Sequence, residues 1–164
     1  FMRRKDRDIT NNKARICALL DRTSHMVLTI PDDPMPYTVP ISYGYEQTEQ
    51  GFRFYFHCAK EGRKVTLLQQ YSTISVCVCR AAELIKSDIS CKYGTEFESL
   101  LGTGTACEIT DPNEKIHALT VLLKRYDANA PIHFGEKILA ATKVYAIDVK
   151  DYTAKANFEL EETK

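Results

Sequence analysis

The sequence predicts a mainly β fold with α: a small antiparallel barrel with its helices packed outside. Three observations point there. Short apolar or alternating runs follow one another through hairpin-like links and long return connections. Helical periodicity is confined to a few places and never alternates regularly with strands, as a parallel βαβ sheet would require. The chain has 164 residues, enough for one domain with a proper core.

The elements follow in order. Thr10 or Asn11 can cap a helix through "NNKARICALLDR", with Ile16, Leu19 and Leu20 at helical spacing. "HMVLTI" reads as a strand stopped by the turn-rich "PDDPMP". "YTVPISYGYE" is a second strand, and Pro40 within it argues for an edge or a bulge because proline donates no ladder hydrogen bond. A turn at "EQTEQG" leads into "FRFYFHC", then a short helix "GRKVTLLQQY" and a strand "TISVCVCRAAEL". The polar stretch "KSDISCKYGTEFE" reads as irregular. "SLLGTGTACEI" is a strand lightened by Gly102 and Gly104, where another backbone or a ligand comes close. Pro112 opens a helix, "PNEKIHALTVLLKRY", with Ile116, Leu119, Leu122, Leu123 and Tyr126 forming its apolar stripe. "EKILAA" adds a helical turn, and "KVYAIDVKDY" closes with alternation.

Composition narrows the function classes. Lys plus Arg (22) equals Asp plus Glu (22), so there is no basic excess of the kind a phosphate backbone demands, and nucleic-acid binding is not expected. The basic start "FMRRKDRDIT" lacks a following apolar stretch, and no apolar run reaches membrane-spanning length, so a soluble cytoplasmic protein is expected. The six cysteines include no C-x-x-C pair, and buried, reduced thiols are the expectation. His25, His57 and His133 have no metal-like spacing, and no metal site is expected. His117 falls on the polar side of its helix.

The stretch "FYFHCAKEGRK" at 54–64 carries the most chemistry. Strand alternation places Phe52, Phe54 and Phe56 on one face and Arg53, Tyr55 and His57 on the other. Beyond His57, the small Cys58 and Ala59 let a ligand approach the backbone. Gly62, Arg63 and Lys64 then open a helix, whose first turn has unpaired N–H groups and the positive dipole end. Two cations there are locally unfavourable without an anion, and together they suit a phosphate. The plainer alternatives are a solvated helix face and a strand-end histidine bonded to backbone.

"VPISYGYE" at 39–46, "FYFHCAKEGRKVTLL" at 54–68, "FESLLGTGTACEI" at 97–109 and "DPNEKIHALTVLLKRY" at 111–126 occur in a familiar order. Together they resemble the FMN-binding split-barrel superfamily of pyridoxamine 5′-phosphate oxidase-like proteins, within it the Nim-type 5-nitroimidazole resistance branch. The opening "MRRKDRDIT" is similar too. The resemblance implies a six- to eight-stranded antiparallel split β-barrel, residues 1–164 forming one FMN-binding domain. It implies that Val39, Pro40, Ile41, Ser42 and Tyr43 line the flavin ring, with Phe56, His57, Cys58 and Ala59 beside it. It gives the FMN phosphate to Arg63 and Lys64, places Glu98 and Ser99 near the cofactor, and makes His57 the active-site histidine. From the residues alone, Glu98 reads as an exposed loop carboxylate. Cys58 stands where glycine or serine is usual, Phe97 where tyrosine is usual, and "YTAK" at 152–155 where a "TGK"-like ending is usual.

The implied activity is an FMN-dependent oxidoreductase of the nitroreductase kind. It would draw on NAD(P)H or another donor, reduce small electron-poor molecules, and act as a homodimer with FMN near the subunit interface. A non-catalytic flavin- or haem-binding barrel and a pyridoxamine-phosphate-oxidase-like enzyme are the alternatives.

Overall fold

The computed structural model describes residues 4–159. Seven antiparallel strands form one sheet: β1 (His25–Ile30), β2 (Tyr37–Ser42), β3 (Gly44–Gln47), β4 (Phe52–Ala59), β5 (Thr73–Ile85), β6 (Gly94–Ile109) and β7 (Thr142–Ala156). Their spatial order is β2-β1-β5-β6-β7-β4-β3. Helices α1 (Lys13–Arg22), α2 (Arg63–Gln70), α3 (Pro112–Tyr126) and α4 (Glu136–Ala141) pack around it.

The two edge strands are neighbours in sequence, with only Tyr43 between Ser42 and Gly44. The chain therefore steps directly from one sheet edge to the other. It closes the barrel covalently while the edges remain unpaired, which is the split. Pro40 lies in edge strand β2, where its missing N–H costs no ladder bond.

The step is held from outside by the end of α3. Tyr43 N–H donates to the Tyr126 hydroxyl at 3.2 Å, Arg125 Nη1 donates to Tyr43 O at 3.2 Å, and the Arg125 guanidinium lies 4.0 Å from the Tyr43 ring centre. Arg125 Nη2 also donates to the carbonyls of Leu20 and Thr23. The bonds to Tyr43 satisfy backbone groups that a continuous strand would have paired in a ladder, and those to Leu20 and Thr23 satisfy carbonyls at the end of α1. The sequence pattern of 37–46 carries no sign of this break, because both halves alternate as one strand would.

The phenylalanine stripe behaves as its alternation predicts. Phe52, Phe54 and Phe56 are buried inside with Leu28, Ile30 and Val76, and Ile16, Leu19 and Leu20 of α1 cap the same core. The opposite face of β4 is not free, however. Tyr55 is buried against Ala118 of α3 together with Val144 and Ala146 of β7. Its hydroxyl donates to Glu46 at 2.5 Å, and His117, itself exposed, lies 3.1 Å from the other oxygen of that carboxylate.

Three details depart from the sequence pattern. Asn12 caps α1 by accepting from Arg15 N–H, so the helix starts one residue later than Asn11 would place it. β6 begins at Gly94 and so takes in the last part of the stretch expected to be irregular, Gly94 to Glu98. The six cysteines are free as expected, but none is buried: Cys79, Cys91 and Cys107 are exposed and the others half-buried. Gly104 matches its expectation, since a Cβ there would sit 2.7 Å from Ile147 Cγ2 and 2.8 Å from the Asp148 carbonyl.

Candidate functional site

β4 ends on His57, Cys58 and Ala59, and a tight turn through Gly62 starts α2. Gly62 has φ 127°, a backbone conformation that side chains disfavour, and nothing lies within 4 Å of where its Cβ would be. The glycine thus serves the turn and leaves open space in front of the helix. The α2 N-terminus has no side-chain cap and no acidic residue in its first turn. Its orphan N–H groups face that space beside two cations, which fits a phosphate group.

The two cations differ. Arg63 donates from Nε (2.9 Å) and Nη2 (2.5 Å) to Asp32 Oδ2, and its guanidinium lies 5.2 Å from the Tyr37 ring centre. Arg63 is therefore not a free charge of the helix start but is paired with a loop carboxylate thirty-one positions away, a contact local spacing cannot show. Lys64 Nζ lies 5.6 Å from the Phe56 ring centre and, unlike Arg63, has no carboxylate within ion-pair distance among the described residues.

His57 points to the exposed side. Partial desolvation of its ring, and then the Lys64 ammonium, hold its pKa below the ordinary 6.5, so the imidazole is neutral at neutral pH. Burial raises the Cys58 thiol pKa, only partly offset by Lys64 and Lys143, so Cys58 stays a thiol and not a nucleophile. Tyr145 stacks on Phe56 at 5.2 Å, and burial pushes its phenol up to about 12.

β2 meets this turn through Tyr37, which pairs with Ile30 of β1 next to the Asp32 loop. Along β2, Ile41 is buried and Val39 packs against the core, while Pro40 is exposed and Ser42 half-exposed. The Ser42 hydroxyl lies 3.5 Å from His25 Nε2. Tyr43 is fully buried and serves the barrel closure. Val39, Pro40, Phe56, His57, Cys58, Ala59, Arg63 and Lys64 therefore belong to one end of the barrel.

Glu98 does not. It lies inside at 0 % exposure, with Arg15 Nη2 at 3.2 Å, Arg80 Nη1 at 3.1 Å and Arg22 Nη1 at 3.7 Å. Thr29 is opposite Ser75 and Ser75 opposite Thr103, which puts Glu98 five residues back along β6 from the Asp32 end, roughly 16 Å at ~3.3 Å per residue. The expectation of an exposed loop carboxylate is thereby corrected: Glu98 anchors α1 to the sheet. Ser99 faces the other way, level with Cys79 on the outer side.

That outer side of β1, β5 and β6 is open. Leu101 is 51 % exposed, and Ser75, Cys79, Thr103 and Thr105 are exposed around it. Adjoining hollows of about 400 and 390 Å³ share Thr29 and Ser75, and the second reaches Asp32. Among the described residues no His/Cys/Asp/Glu group of three could hold a metal ion, and no helix is long and apolar enough to cross a membrane.

A family model described as pyridoxamine 5′-phosphate oxidase matches residues 12–156. Among solved structures, a proposed 5-nitroimidazole antibiotic resistance protein from Bacteroides thetaiotaomicron is similar with TM-score 0.77 and 26% identity, over 88% of this chain and 83% of that one. An FAD and haem binding protein from Mycobacterium smegmatis gives TM-score 0.76 at 20% identity, covering 93% of this chain and 74% of that one. A flavocytochrome from Azotobacter vinelandii gives 0.71 at 20% identity, covering 92% and 71%. The last two likenesses concern the fold. No curated protein matches the sequence. The chain belongs to the pyridoxamine 5′-phosphate oxidase-like family, within the FMN-binding split-barrel superfamily and on its Nim-like side.

Proposed function

We propose that this chain, residues 1–164 acting as one unit, is an FMN-dependent oxidoreductase that reduces small electron-poor molecules such as nitroimidazoles. The observation that carries the reading is the turn from β4 to α2. An uncapped helix N-terminus, open space over Gly62, the Lys64 ammonium and a neutral His57 converge there in a chain of this family. Bound FMN supplies the redox chemistry, with NAD(P)H or another donor as the electron source.

The chain's own residues bind and orient. The first-turn N–H groups of α2, with Arg63 and Lys64, hold the phosphate. The Val39–Ser42 edge and the Phe56–Ala59 strand end flank the ring. His57, uncharged at neutral pH, holds the substrate by hydrogen bonding and relays a proton to it as reduction proceeds, one ring nitrogen donating its proton while the other takes one up from water. The open face around Leu101 is where a second copy of the chain packs, bringing its own strands to the uncovered side of the cofactor.

Anaerobic turnover of the FMN-loaded protein with NADH or NADPH against a small nitroaromatic panel tests this. Reduction at a rate that falls ~10²–10⁴-fold per bound flavin in His57→Ala supports the reading. Stable flavin binding without turnover for any donor would make the protein a flavin carrier instead.

A further inference from the structure

Asp32 is the residue of this site that neither the sequence pattern nor family membership singles out. Its carboxylate is fixed at both ends: Oδ1 accepts from Asp33 N–H at 2.9 Å, and Oδ2 accepts from Arg63 Nε and Nη2. Asp32 is itself only 18 % exposed, whereas Arg63 is 62 % exposed. An arginine that open samples many rotamers unless something holds it. Here a fixed carboxylate grips one edge of the guanidinium, and the Tyr37 ring lies against its face. Nη1 is left for a ligand at the mouth of α2.

From this geometry we infer that Asp32 is a positioning residue for phosphate recognition, holding Arg63 ready so that a phosphate monoester meets a prearranged donor. The inference rests on the proposed phosphate seat. The opposite reading, a carboxylate competing with phosphate for the same guanidinium, makes the opposite prediction. Positioning saves the ordering of one long side chain on binding, so Asp32→Ala should weaken FMN about three- to tenfold. Riboflavin has the same ring and no phosphate, and should be little affected.

The test is titration of FMN and riboflavin, by quenching of flavin fluorescence, into the wild type, Asp32→Ala and Arg63→Ala. Selective weakening of FMN in both variants is the expected result. Unchanged or tighter FMN binding in Asp32→Ala, with Arg63→Ala still weakened, overturns the inference and leaves the phosphate seat standing. Equal weakening of both ligands in Asp32→Ala assigns the residue to the fold and also overturns it. If Arg63→Ala fails to separate FMN from riboflavin, the seat itself falls, and the inference with it.

Discussion

Replacing Lys64 by alanine isolates the charge on which cofactor binding depends. Arg63 is matched by Asp32, so the turn presents about one net positive charge, that of Lys64, to an incoming phosphate. A unit charge pair at ~4 Å contributes roughly 1 kcal/mol in a water-like dielectric, and a phosphate monoester near neutral pH carries almost two charges. The lost attraction is therefore about 2 kcal/mol, or about thirtyfold in FMN affinity. Fluorescence titration of the purified apoprotein measures it, with riboflavin as the control. Raising the salt concentration should narrow the gap between wild type and variant, since the charge is partly exposed. Equal losses for FMN and riboflavin, or no loss for FMN, would refute the assignment of the phosphate to this turn.

Other perturbations probe the supporting structure. Glu98→Ala leaves the buried Arg15 without its carboxylate and should destabilise the fold by about 3–5 kcal/mol in urea unfolding; a loss under 1 kcal/mol would show that the cluster is not an anchor. Arg125→Ala removes donors from the carbonyls of Leu20, Thr23 and Tyr43 and should cost about 2–4 kcal/mol, lowering Tm, with flavin affinity falling only as far as β2 is loosened. The His57 pKa, followed by NMR, should lie below 6.5 and rise in Lys64→Ala or on adding FMN. Because the unfolded chain then takes up this proton first as pH falls, the fold loses this contribution below about pH 6.5 and keeps it above. A pKa at or above the ordinary value would contradict the placement of Lys64.

Periodicity made most strands and helices legible. β1 and α3 coincide with "HMVLTI" and "PNEKIHALTVLLKRY", where apolar spacing and a proline at the helix start are local signals. The break at Tyr43 was not legible, because it is stabilised by Arg125 and Tyr126 from a helix eighty residues away. Glu98 misled for a similar reason: its partners come from α1 and β5, and a glutamate amid polar residues looks solvated until they are in place. At the site, the glycine and the paired cations could be read from the sequence, and strand alternation placed His57 correctly. The Asp32–Arg63 pair and the burial of Tyr55 depend on long-range packing and could not be.

The central claim is that the turn from β4 to α2 seats the phosphate of FMN. A crystal structure of the FMN-loaded protein measures this directly. The account predicts the phosphate within hydrogen-bonding distance of Lys64 Nζ and the first N–H groups of α2, with the ring beside Val39–Ser42 and His57. A flavin whose phosphate lies away from Gly62–Lys64, whatever its ring contacts, would contradict it.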